Sequence, residues 1–351
     1  MAARLFLEDG TMFEGEPFGS KSDVAGEVVF NTGMVGYPET MTDPSYKGQI
    51  IVFTYPLVGN YGVPSDEVEY GMNRNFESPK IQVSGIIVSD YSRNYSHWSA
   101  VKSLHDWMKE NGIPGITSID TRTLTKKLRT KGVMLGRIQN NEKIPFSDPN
   151  KRNLVSEVSI DKLITYNPGK KKKVIVVDCG AKNNIVRSLI KRNVSVRRVP
   201  WNYSFNKESF DGLVLSNGPG DPKMCTKTIE NIRIALKKEI PIFGICLGNQ
   251  LLSLAAGADT YKLKFGHRSQ NQPATNLDDK RCYITSQNHG FAVNAKKLPK
   301  GWKEWFVNAN DRSNEGIRHV SKPFYSVQFH PEATPGPTDT NWLFDKFVGE
   351  L

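Results

Sequence analysis

The sequence predicts an α/β protein in two parts: an N-terminal α+β domain over 1–165, and a C-terminal domain over 171–351 whose mostly parallel sheet is covered by helices. Three observations predict this. At roughly 150 residues per domain, 351 residues favour two domains over one. The segment YNPGKKKK (166–173) combines Pro, Gly and four consecutive lysines directly before an apolar run, the signature of a boundary. Beyond it, short continuous apolar strands alternate with amphipathic helices, as in a parallel sheet buried on both faces.

Taken in order, the first half offers strands at GEVVFNTG (26–33) and QIIVFTYP (49–56), set among turns, and helices at 99–112 and 120–132. After the boundary come the strand VIVVD (174–178), a helix at 183–192, the strand VSVRRV (194–199) and the strand GLVLS (212–216). A helix at 226–238 and the strand IPIFGI (240–245) follow. No internal repeat or low-complexity tract interrupts the pattern.

Composition narrows the function classes. Forty-seven Lys and Arg against 36 Asp and Glu give +11, but apart from 170–173 the basic residues are scattered and no aromatic residues interleave with them. A nucleic-acid partner is therefore not expected. No apolar run approaches the ~20 residues that cross a bilayer, so no membrane partner is expected either. The N-terminus MAARLFLEDGTMFEG enters a strand-like pattern within five residues, without the shape of a signal peptide. The expected location is the cytoplasm, or the mitochondrial matrix if a presequence has been removed. The four cysteines, Cys179, Cys225, Cys246 and Cys282, show no CxxC spacing and no paired rhythm, so they read as reduced thiols. Each is a candidate nucleophile until its context decides. No GxxxxGK[ST] loop and no metal-ligand cluster is evident along the chain, so no nucleotide, metal or other cofactor is expected in it.

The most informative stretch is IPIFGICLGNQLLSLAAG (240–257). A strand runs into Gly244, Cys246 and Gly248, and a helix follows that ends at Gly257. Glycines two before and two after a nucleophile permit the strained strand-to-helix turn that projects it. A helix N-terminus favours a thiolate, and the backbone N–H of Leu247 can hold an oxyanion. Cys246 is thus the candidate nucleophile, against the alternative that it is a small buried hydrophobe. A base and its orienting acid are offered by FYSVQFHPE (324–332). There His330 ends an apolar strand, and Glu332, two residues on, would face the same side of extended backbone. SNGPGDP (216–222) offers the bare backbone of Gly218 and Gly220, and SQNHGFAV (286–293) offers Asn288, Gly290 and Phe291.

SNGPGDP, GICLGNQ, QNHGFAV and FHPEATPGP, in this order and spacing, resemble the class I glutamine amidotransferase domain. GEVVFNTGMVGYPETMTDPSYKGQI (26–50) and DTRTLTKKLR (120–129) resemble the N-terminal domain of the small, glutaminase part of carbamoyl-phosphate synthetase. The resemblance covers essentially the whole chain. It implies a glutaminase with Cys246 as nucleophile, His330 as base and Glu332 as orienting acid. It implies glutamine-binding roles for Gly218, Gly220, Leu247, Gln250, Asn288, Gly290 and Phe291, and for Ser45 of TDPSY, reaching the site from the N-terminal domain. It further implies that ammonia passes to a synthetase large subunit or fused synthetase domain, which holds ATP and magnesium. The chain departs from the family in one place: Asn249 stands where glutamine-dependent relatives usually have His. The branch that uses free ammonia is known for losing the Cys to Ser, whereas here Cys246 is kept, so hydrolysis is expected to survive. Two alternatives compete: another triad-type amidotransferase or cysteine hydrolase, and a weakly active regulatory or docking subunit.

Overall fold

The computed structural model describes residues 2–205 and 207–351. The chain divides into two compact units, Met1–Lys151 and Arg152–Leu351. The division falls before the expected boundary at 166–173, for a physical reason. Ile164–Tyr166 is an edge strand of the second unit, paired antiparallel with Ser195–Pro200. Val155 is buried in the second unit's core. The Pro-Gly-Lys stretch is therefore a connection inside the second unit, between two strands that both pair with Ser195–Pro200, rather than a linker, and a three-residue strand carries too little pattern to show it.

In the first unit seven strands close into a barrel, in the order Ala3–Leu7, Met134–Gln139, Val24–Asn31, Gln49–Phe53, Gly85–Ile87, Pro114–Thr117, Met12–Gly19. Period-2 geometry sends successive residues to two different cores. Val28, Ile50, Val52 and Ile87 pack with Leu124 and Leu128 of the helix Thr121–Lys131. Val29, Ile51, Phe53 and Ile86 pack with Trp107 and Met108 of the helix Leu104–Glu110. Both faces are buried, so the strands read as continuous apolar runs. The helix expected over 99–112 is shorter: Ala100–Lys102 is a strand, and Ser103 caps the helix by accepting from Asp106 N.

The second unit holds a ten-stranded sheet. Its parallel part is central, in the order Ser195–Pro200, Lys173–Asp178, Gly212–Leu215, Ile242–Ile245, Phe324–Val327. Antiparallel strands extend it beyond Phe324–Val327 through Asn314–His319 and Trp302–Asn308 to the long hairpin Asp259–Asn276 and Cys282–Asn294. Helices cover the parallel part on two sides, again by alternation. Ile242 packs with Ile229, Ile232, Leu251 and Leu252 of the helices Thr226–Ala235 and Leu247–Ala256. Phe243, one residue on, meets Phe344 edge-on and packs at a tilt against Phe347, both of the helix Trp342–Gly349. The expected helices at 183–192 and 226–238 form over Asn183–Ile190 and Thr226–Ala235.

Candidate active site

The candidate nucleophile sits on a strained turn. The strand Ile242–Ile245 ends at Cys246, whose φ of 55° and ψ of −104° are rare for a residue with a side chain, and the helix Leu247–Ala256 begins at the next residue. The turn is held because Cys246 N donates to Val327 O at 2.8 Å while Cys246 O accepts from Asn249 N at 3.0 Å. The flanking glycines are close approaches. A Cβ on Gly248 would lie 2.1 Å from Leu215 O, and one on Gly244 would lie 2.6 Å from Gly248 O. The other cysteines are unsuited to attack. Burial pushes the Cys179 thiol well up and the Cys225 thiol to about 12, and Cys282 is exposed on a strand away from any elbow.

His330 and Glu332 are both buried, and His330 Nδ1 donates to Glu332 Oε1 at 2.6 Å. The pair does not form along a strand as expected: Phe324–Val327 ends three residues earlier, and Ala333 N donates to His330 O across a turn. The turn folds the carboxylate back onto the ring, while His330 N donates to Ser286 O and ties the imidazole to the strand Cys282–Asn294. Lys182 Nζ lies 3.1 Å from Glu332 Oε1, fully inside the protein. Burial raises the Glu332 carboxyl, but Lys182 and His330 outweigh it and hold it below the ordinary carboxylate range. Burial lowers the His330 imidazole, yet Glu332 and Cys246 outweigh that and hold it above the usual range. His330 Nε2 makes no hydrogen bond among the described residues, and the Cys246 thiol donates instead to Asn288 O at 3.6 Å. His330 and Cys246 thus interact electrostatically, without an aligned proton.

A chain of amides fixes one further group on the sulfur. Phe291 O can only accept, so the Gln250 Nε2 that reaches it at 2.9 Å is a donor. The same nitrogen lies 3.1 Å from Gln328 Oε1, which also accepts from Asn249 Nδ2 at 3.1 Å. Ser326 Oγ, donating to Asn249 Oδ1 at 2.8 Å, holds the Asn249 amide in that orientation. With its oxygen so fixed, Gln328 turns Nε2 to the Cys246 sulfur at 3.6 Å.

Of the expected site residues, Cys246, His330, Glu332, Asn288, Phe291, Leu247 and Gln250 gather around this network. Gln250 spends both amide hydrogens internally. Gly290 follows His289 on the same strand. Gly218 meets a packing need, since a Cβ there would lie 2.0 Å from Cys179 O. Gly220 adopts φ 82°. Ser45 belongs to the first unit, buried in the turn Pro44–Tyr46 with its N–H donating to Asp43 Oδ1. Sequence reasoning missed Lys182 and Gln328. Gln328 lay inside the FYSVQFHPE segment. Lys182 carries no pattern signal, because a buried lysine is recognised only by its partner.

Residues 175–349 match the family Glutamine amidotransferase class-I, and residues 5–138 match Carbamoyl-phosphate synthase small chain, CPSase domain. The arginine-specific carbamoyl phosphate synthase small chain of Saccharomyces cerevisiae is 52% identical, over 99% of this chain and 88% of its own length. Multifunctional protein CAD of Squalus acanthias is 55% identical over 99% of this chain, which spans 16% of that protein. The human mitochondrial carbamoyl-phosphate synthase [ammonia] is 51% identical over 98% of this chain, which spans 23% of it. No helix is long and apolar enough to cross a membrane among the described residues. With the elbow cysteine, the buried His–Glu pair and matches over both units, the chain belongs to the carbamoyl-phosphate synthase small-chain family and carries its class-I glutamine amidotransferase domain.

Proposed function

We propose that this chain is the glutaminase component of a glutamine-dependent carbamoyl-phosphate synthase. The observation that carries the proposal is a strained elbow thiol beside a buried imidazole that is paired to a carboxylate. Cys246 Sγ attacks the side-chain carbonyl carbon of glutamine while its proton passes to His330 Nε2. The tetrahedral oxyanion is held by the amides of Leu247 and Gly220, each such donor being worth about 3–4 kcal/mol. His330 returns the proton to the leaving nitrogen, the C–N bond breaks, and ammonia departs from a glutamyl thioester. Water, giving a proton to His330, then attacks the thioester; the C–S bond breaks and glutamate leaves with Cys246 restored. Glu332 keeps Nδ1 protonated so that Nε2 does this work. The ammonia goes to a synthetase subunit or fused domain, which uses ATP and magnesium. Cys246→Ser tests the proposal. It should abolish glutamine hydrolysis and leave the thermal unfolding curve unchanged, and equal rates for variant and parent would overturn it.

A second reading, a weakly active docking subunit, draws on Asn249 and on the similarity to a synthase named for ammonia. The retained Cys246, His330 and Glu332 weigh against it. A turnover measurement on the parent chain separates the two.

A further inference from the structure

Beyond the strand Phe324–Val327, on the antiparallel side of the sheet, lies a cluster that the mechanism does not use. His267 and His289 are directly opposed across the hairpin Asp259–Asn276 and Cys282–Asn294, and Glu315 reaches them from the strand Asn314–His319. All three are buried, and one ligand atom from each lies within 4.8 Å of the others. Sequence spacing could not show the cluster, because its members are more than 20 residues apart and meet only through strand register.

We propose that His267, His289 and Glu315 form a site for a first-row divalent cation of zinc's chemistry.

The polar atoms fit that role one by one. His267 Nε2 lies 2.8 Å from Asp311 Oδ2; donating there, it leaves the Nδ1 lone pair facing the cluster, and Nδ1 makes no hydrogen bond among the described residues. His289 Nδ1 donates to Phe291 O at 2.8 Å, which turns the Nε2 lone pair to the same side. Gln287 Oε1, 3.1 Å from that nitrogen, is an acceptor and gives it no proton; the Gln287 amide turned over would. Glu315 Oε1 accepts from Asn308 Nδ2 at 2.9 Å, while its Oε2 is buried without a hydrogen-bond partner among the described residues. Each imidazole thus has its far nitrogen tied to a carboxylate or carbonyl, the arrangement that orients a metal-bound histidine. Two imidazoles and a carboxylate, with a fourth position for water, form a zinc-type donor set. Tetrahedral zinc at about 2.1 Å from each donor spaces the donors about 3.4 Å apart, so the cluster closes by roughly 1 Å on loading. The competing occupant is a proton on His267 Nδ1, which lies 3.5 Å from Glu315 Oε1. That proton leaves Glu315 Oε2 unpartnered, whereas a cation satisfies it.

The test is zinc binding by the full chain, stripped of metal, read by competition with a chromophoric chelator and by thermal midpoint. One equivalent of zinc at micromolar or tighter affinity, with a raised midpoint, is expected. Cobalt in its place should give the visible bands of tetrahedral nitrogen and oxygen ligation. Glu315→Gln should remove the equivalent. Should that buried variant fail to fold, Asp311→Asn, at a half-exposed carboxylate, should weaken binding about 10- to 100-fold. Cys246→Ser must keep the equivalent. The proposal is overturned if no equivalent binds, if it survives Asp311→Asn and Glu315→Gln unchanged, or if it vanishes with Cys246→Ser, which would put the metal on the nucleophile.

Discussion

Gln328 shows how much one side chain owes to its neighbours. An amide nitrogen facing sulfur helps the nucleophile only if its oxygen is held elsewhere, and two donors, from Gln250 and Asn249, hold it. Asn249, the departure from the family's usual His, therefore serves the site as an orienter. A hydrogen bond to a charged group is worth about 1.5–3 kcal/mol, so Gln328→Leu should slow both glutamine turnover and alkylation of Cys246 by iodoacetamide roughly 10- to 100-fold. Asn249→Leu leaves Gln250 to hold the oxygen and should cost about 2- to 10-fold in the same two assays. Alkylation at the parent rate in Gln328→Leu would show that the amide does not act on the sulfur. The His330–Glu332 pair adds a pH dependence with a definite sign. The folded imidazole is held above its unfolded value, so the stability it contributes is complete below about pH 6.5 and is lost as pH rises through the raised value. The folded carboxyl is depressed, so its contribution is present above about pH 4.5 and is lost as pH falls. Urea midpoints measured from pH 3 to 10 should therefore fall less steeply at both ends in Glu332→Gln than in the parent. Parallel curves would mean that the pair contributes nothing to stability.

At the scale of elements, the elbow is a packing problem before it is a chemical one. The helix Leu247–Ala256 can start only where Gly248 rests on the backbone of Leu215, and Gly218 rests on Cys179 in the neighbouring loop for the same reason. Gly248→Ala would force a methyl into 2.1 Å of a carbonyl oxygen, so the helix start must shift off the strand. We expect a loss of about 1–3 kcal/mol in unfolding free energy. We also expect a fall of about 100-fold in glutaminase, since a displacement near 1 Å at a reacting atom costs that much. Chemical denaturation and turnover measured on the same preparation check both, and a variant with parental activity would show that the elbow tolerates the shift.

At the scale of the whole molecule, the site is assembled but not aligned: the thiol donates to Asn288 O and His330 Nε2 makes no hydrogen bond among the described residues. If the chain is the proposed glutaminase, free hydrolysis would waste glutamine, and a two-state rearrangement around Cys246 would give a partner something to bias. Glutaminase measured with the synthetase component, ATP and bicarbonate should run at least about tenfold faster than with the chain alone, a population shift of about 1.4 kcal/mol. Identical rates in both conditions would leave an autonomous glutaminase. The +11 charge makes that association a candidate for weakening by salt.

Much of this was legible in the residues alone, because some physical requirements are local. A strained turn needs glycines at fixed offsets, so GICLG announced both the elbow and its cysteine. Parallel strands buried on both faces need continuous apolar runs, so the strands at 174–178, 194–199, 212–216 and 240–245 stood out. What tertiary structure alone decided depends on contacts between distant segments. The first unit closes as a barrel because Ala3–Leu7, besides its local hairpin with Met12–Gly19, meets Met134–Gln139, a pairing that no local pattern encodes. The lysine behind Glu332, the amide orientation at Gln328 and the meeting of His267, His289 and Glu315 arise in the same way. Periodicity along a chain sets which face a residue occupies, whereas register between strands sets what that face meets.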